Sequence, residues 1–95
     1  MPGGTSSNRN RFYYTYVLES LTDGKRYIGV TNDLRRRFLE HQKGKNISTA
    51  PRRPFSLIYY EAGLSYTDAK RREGYMKTTD GRRFLAKRLR AYLSA

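Results

Sequence analysis

The stretch Lys25–His41, KRYIGVTNDLRRRFLEH, carries a strand, a turn and a helix in seventeen residues and contains the chain's sole histidine. RYIGV (Arg26–Val30) alternates in the manner of a half-buried strand. Asn32 or Thr31 can cap a helix running from Asp33 to about Lys43, with Asp33 at its positive end. Successive helical residues turn by about 100°. Leu34 and Phe38 therefore define the apolar face, His41 falls between them, and Arg37 lies on its shoulder. Arg35, Arg36 and Glu40 point away, so the three arginines divide into one aimed at the interior and two aimed at solvent.

Outward from this stretch the other elements follow. FYYTYVLES (Phe12–Ser20) is aromatic and β-branched, and the Asp23–Gly24 turn makes it the hairpin partner of RYIGV. Gly44–Pro54 is a basic loop with two prolines, and FSLIYYE (Phe55–Glu61) reads as a third strand. Ser65 with Asp68 resembles a capping box opening a helix through Lys77. TTDG (Thr78–Gly81) ends that helix, and Asp80 or Thr79 can cap a third one through Leu93. The fold class is α+β, a small three-stranded antiparallel sheet with helices packed around it in the order β-β-α-β-α-α. Residues 12–95 form one domain, and 1–11 read as a disordered leader or an expression remnant.

Composition narrows the chemistry. With no cysteine and one histidine, thiolate zinc sites, disulfides and histidine-cluster metal sites are excluded. Any metal must be held by carboxylates and waters, which suits Mg2+, with Mn2+ also possible. Twenty basic against eight acidic residues give a formal charge of +12, which favours a polyanionic partner. No apolar run is long enough to span a membrane, and no signal peptide opens the chain. The expectation is a cytoplasmic protein associated with nucleic acid and not with a membrane.

Glu73 breaks the inward stripe of the second helix, Tyr66, Ala69 and Met76. A carboxylate there must be paired, protonated or holding a metal. Arg37 or Arg72 could supply the pairing. If the hairpin has an odd-sum register, Tyr16 and Tyr27 share one face of the sheet. Two phenols, an arginine, a histidine and a carboxylate then converge on one surface, a constellation suited to phosphodiester hydrolysis.

Tyr14-Thr15-Tyr16, Tyr27-Ile28-Gly29, Thr31-Asn32-Asp33-Leu34, Arg37, His41 and Ala69–Glu73 together resemble the GIY-YIG nuclease family. The likeness runs from Phe12 to Leu93, and is to a small stand-alone member similar to the N-terminal nuclease domain in the incising component of excinuclease ABC. It implies a metal-dependent DNA endonuclease, structure-selective and weakly sequence-specific, with Tyr16, Tyr27, Arg37, His41 and Glu73 catalytic and Glu73 the metal ligand. Gly29 would allow close approach of backbone and substrate, and which tyrosine is the base stays open. Contacts to branched, nicked or duplex DNA are expected from Gly29, Arg35, Arg36, Lys45, Arg52, Arg53 and Lys87, with an unknown protein partner for targeting. Two departures stand out. The first triplet is Tyr-Thr-Tyr, and the third helix lacks the asparagine that many members place near the metal. The alternatives are a non-catalytic nucleic-acid-binding module of the same fold and a small basic ribosome-associated protein.

Overall fold

A computed structural model describes residues 11–95, so the reading of 1–11 as a leader lies, but for Arg11, outside the described residues. Strands β1 (Tyr13–Ser20), β2 (Arg26–Thr31) and β3 (Phe55–Gly63) form an antiparallel sheet in the order β2-β1-β3. The helices are α1 (Leu34–Gln42), α2 (Tyr66–Met76), α3 (Thr79–Arg88) and a short α4 (Arg90–Leu93). This is the expected α+β order. The long third helix instead breaks at Leu89, whose φ of −106° and ψ of 25° leave the helical region. Among the described residues no helix is long and apolar enough to cross a membrane.

β1 is central, and Thr15, Tyr16, Val17 and Leu18 are buried on both faces of it. Tyr16, Leu18 and Phe55 pack against Tyr27, Leu34 and Phe38 on the α1 side. Val17 packs with Met76 and Leu85, against Ile28 and Phe84, on the side of α2 and α3. The sheet is thus sandwiched between α1 and the α2–α3 pair, with β2 as an edge strand that helices flank from both faces.

The helix caps agree with expectation at α2 and differ from it at α1 and α3. Asp33, not Asn32 or Thr31, caps α1 by accepting from the Arg36 amide at 3.2 Å, while Thr31 Oγ1 accepts from the Asp33 amide. A carboxylate is the stronger acceptor at a helix's positive end, and Thr31 still belongs to β2. Ser65 caps α2 as read. Thr78 caps α3 in place of Thr79 or Asp80, because its extended backbone ends the α2–α3 turn one residue earlier. Tyr66, expected to face inward, is 53% exposed and sets its ring edge-on to Tyr13 at 5.6 Å. The inward stripe of α2 is Ala69 and Met76, and Thr15 Oγ1 donates to the Ala69 carbonyl at 3.0 Å.

The C-terminal end of α1 is tied down by one side chain. Gln42 donates to the Phe55 carbonyl at 3.1 Å and accepts from the Phe55 amide at 2.7 Å. The basic loop is anchored to the hairpin turn. Ser20 Oγ donates to the Arg52 carbonyl and Thr22 Oγ1 to the Arg53 carbonyl, both at 2.7 Å.

Candidate active site

β1 and β2 pair Tyr16 with Gly29 and Leu18 with Tyr27, a register whose sums are odd. Tyr16 and Tyr27 therefore share the α1 face, with ring centroids 6.3 Å apart. A Cβ at position 29 would lie 2.5 Å from the Tyr16 hydroxyl oxygen. The space above Gly29 is filled by the Tyr16 phenol, so this glycine makes room for a side chain of its own sheet.

From the other side α1 lowers His41 onto these rings, its position held by the Gln42 clamp one residue on. His41 is fully buried, with its ring centroid 4.9 Å from that of Tyr27 and its Nε2 3.0 Å from the Tyr16 hydroxyl. Its Nδ1 lies 2.9 Å from Thr49 Oγ1, and the Thr49 hydroxyl donates to the Asn46 carbonyl at 3.4 Å. Thr49 uses its hydrogen on Asn46 and so accepts from Nδ1–H. Nε2 is then the lone-pair nitrogen, and the Tyr16 hydroxyl donates to it. The network orders the chain Tyr16, His41, Thr49, Asn46 in the direction of donation.

Burial pushes the Tyr16 phenol up to about 12, against the opposing pull of the neighbouring Arg37, with Tyr27 and Glu73 adding to the rise. Burial likewise lowers the His41 imidazole to about 4, and the Arg37 cation adds to this. At neutral pH, Tyr16 is a phenol and His41 is neutral.

The histidine makes stability depend on pH in a predictable direction. Between the unfolded value near 6.5 and the folded value near 4, the unfolded chain binds a proton that the folded chain refuses. The contribution is complete above about pH 6.5, shrinks as pH falls, and is lost below about 4. Its size is on the order of 3 kcal/mol. Urea midpoints measured from pH 7.5 to 4.5 are expected to fall more steeply for the wild type than for His41→Gln. Parallel profiles would show that His41 does not titrate in this window.

The three arginines differ as their geometry on the helix suggests, with one correction. Glu40 does not point away alone. Its carboxylate accepts from Arg36 Nη1 at 2.7 Å and from Arg37 Nη1 at 2.9 Å, bridging the two. Arg37 is about half as exposed as Arg36 (30% against 56%) and is the one close enough to act on Tyr16 and His41. Arg35 is exposed and lines a cleft of about 610 Å3 with Tyr14, Asn32 and Tyr60.

Glu73 belongs to α2, which packs on the opposite face of the sheet from α1, and its charge is felt at the Tyr16 phenol. Its side chain is 15% exposed and is paired with Lys70 at 2.8 Å and Lys77 at 3.6 Å. Neither Arg37 nor Arg72 is its partner. Arg72 makes a two-pronged pair with Glu61 at 2.8 and 2.9 Å and is stacked on Tyr75 and Phe84. Among the described residues no three His, Cys, Asp or Glu side chains gather to hold a metal. A cation at Glu73 would have one protein carboxylate, an arrangement that fits an ion keeping most of its water shell. The two lysines now holding that carboxylate are 48% and 57% exposed and can move aside.

The other sequence-derived contact residues are dispersed. Lys45 and Arg53 are exposed in the loop, and the Arg53 guanidinium packs against Gly44. Lys87 is exposed in the last turn of α3. Arg52 is half-buried and serves as an internal brace, 3.7 Å from the Asp23 carboxylate and 3.3 Å from the Arg26 carbonyl. Sequence reading missed Thr49, since nothing in a polar loop marks the one hydroxyl that will be fully buried against a histidine.

The GIY-YIG catalytic domain model matches residues 12–93. A UPF0213 protein of Bacillus pumilus is 40% identical over 67 residues, covering 70% of this chain and 67% of the relative. One from Streptococcus pneumoniae is 43% identical over 65 residues, covering 67% and 65%. About a third of each relative's length lies outside the match. The solution structure of a UPF0213 protein from Bacillus halodurans is similar, with 34% identity, a TM-score of 0.50, and coverage of 80% of this chain and 83% of that one. With the match spanning nearly all the described residues, this chain belongs to the GIY-YIG nuclease family.

Proposed function

We propose that the protein is a divalent-metal-dependent endonuclease that hydrolyses DNA phosphodiester bonds, acting in the cytoplasm and selecting DNA by structure more than by sequence. The observation that carries this reading is the buried, one-directional chain from Tyr16 through His41 to Thr49, beside the partly exposed Arg37 guanidinium. Such a chain costs folding energy to desolvate and orients one phenol that lies next to a cation.

Each residue then has a distinct task. Glu73 would hold a Mg2+ ion, or Mn2+, which when bound neutralises phosphate charge and makes a bound water more acidic. Tyr16 keeps its proton at neutral pH and points its O–H at His41 Nε2, so it orients groups and does not act as the base. Tyr27, half-buried where Tyr16 is fully buried, is the phenol that can meet an attacking water. Arg37 supports negative charge as it develops on the phosphoryl oxygens. His41, neutral and fixed by Thr49, keeps the Tyr16 hydroxyl pointed in one direction.

A second reading, a DNA-binding module without catalysis, draws on the Lys70 ammonium 2.8 Å from the Glu73 carboxylate and on the lack of an asparagine in α3. One experiment separates the two. Nicked, flapped and plain duplex DNA are incubated with wild type and with Glu73→Ala, in magnesium and in manganese. The nuclease reading expects cleavage by the wild type alone and equal binding by both. Binding without cleavage of any substrate by the wild type favours the module.

A further inference from the structure

A second cleft, of about 480 Å3, opens on the far side of β2 from Tyr27. Four cations from separate parts of the chain rim it: Lys25 from the hairpin turn, Arg26 from β2, Lys77 after α2 and Arg82 from α3. Its floor is apolar, with Ile28 and Met76. Among the described residues no carboxylate lines it. In that respect it differs from the groove under Arg36, where Asp33 and Glu40 face the cations, and from the one at Arg72, which holds Glu61 and Asp68. Among the described residues Lys25, Arg26 and Arg82 make no ion pair, and Lys77 has a long one with Glu73.

The fold thus gathers like charges, with one long ion pair among them, in a concave site, which raises its free energy until an anion enters. The cleft is lined by neighbours in sequence of the candidate active-site residues. Arg26 adjoins Tyr27 in the strand, and Lys77 lies one helical turn beyond Glu73. Because strand side chains alternate, Tyr27 faces one side of the sheet while Arg26 and Ile28 face the other. A chain touching both must pass over the free edge of β2.

We propose that this cleft is a binding site for the sugar–phosphate backbone of the DNA strand leading away from the cleaved bond. Its cations meet successive phosphates and its apolar floor meets the deoxyribose carbons. The strand wraps the edge of β2 from the Tyr27 side to the Arg82 side. This rests on the nuclease reading above and adds a subsite to it, since none of the four cations belongs to the basic residues singled out from the sequence.

The test compares two doubly substituted proteins of equal net charge, K25Q/R82Q in the cleft and R71Q/R83Q outside it. Arg71 and Arg83 are exposed and pair with Asp68 and Asp80. Thermal melts establish that both variants fold. Binding to labelled DNA is measured by anisotropy in chelator, where no cleavage occurs, from 50 to 300 mM salt. Losing two phosphate contacts lowers the slope of log K against log salt by about 1.4 to 1.8. That drop is expected for K25Q/R82Q, with the slope of R71Q/R83Q close to wild type. Equal slopes for the two variants, whether both wild-type or both reduced, overturn the subsite. Failure of the wild type itself to bind DNA overturns the nuclease reading instead. Retained slope but displacement by vesicles of anionic phospholipid from wild type and not from K25Q/R82Q assigns the cleft to a membrane surface and also overturns the proposal.

Discussion

Gly81→Ala is expected to cost the protein more stability than any other single-methyl change. Gly81 is buried where α3 begins, and an added Cβ would strike the Tyr75 carbonyl oxygen and lie 2.5 Å from Met76 Cα. These are backbone atoms, so no rotamer change relieves the overlap, and α3 must move off α2. That movement breaks the Thr78 cap on the Gly81 amide and opens the core of Val17, Met76 and Leu85. Overpacking typically costs about 1–3 kcal/mol, and a clash between backbones lies at or above the top of that range. About 3 kcal/mol corresponds to a melting temperature lower by roughly 12–24 °C for a domain of this size. Gly74 provides the contrast, since a Cβ there meets nothing within 4 Å and its position in α2 is exposed. Gly74→Ala is expected to stabilise by about 0.5–1 kcal/mol through helix propensity. Thermal melts of the two variants should move in opposite directions. If both fall, helix docking at Gly81 is not the cause.

Arg37→Ala is expected to show the opposite profile, a large loss of cleavage with the fold intact. Its pairing with Glu40 is partly exposed, with side chains 30% and 23% accessible, and solvent screening leaves pairs of that kind little weight in stability. The melting temperature should move by only a few degrees. Cleavage, in contrast, should fall about 10²–10³-fold, the range found when one preorganised group that stabilises developing charge is removed. A second readout does not depend on activity. Arg37 holds the His41 pKa down and opposes the rise of Tyr16, so its removal should raise both. Titration of the His41 ring by NMR in wild type and Arg37→Ala checks the sign. An unchanged His41 pKa together with a large drop in stability would make Arg37 a structural brace.

These contrasts mark where local reading succeeds. Helical periodicity alone separates Arg37 and His41 from Arg35 and Arg36, because a turn of about 100° per residue decides which side of α1 each occupies. Parity alone puts Tyr16 and Tyr27 on one face once the hairpin has an odd-sum register. Both rules act within one element or between neighbours in sequence. Glu40 escaped them because its helical position points outward while its flexible carboxylate turns back to Arg36 and Arg37.

The sequence by itself determined the element order, the faces of α1 and the family, since each follows from periodicity, turn chemistry or motif spacing. Only the tertiary structure decided that Tyr16 covers Gly29, that Thr49 receives His41, that Arg72 belongs to Glu61, and that Glu73 arrives from the opposite face with two lysines. Those facts depend on how far apart segments pack. A side chain's partner across the fold is chosen by the distance and desolvation of groups tens of residues away, and no local pattern encodes them.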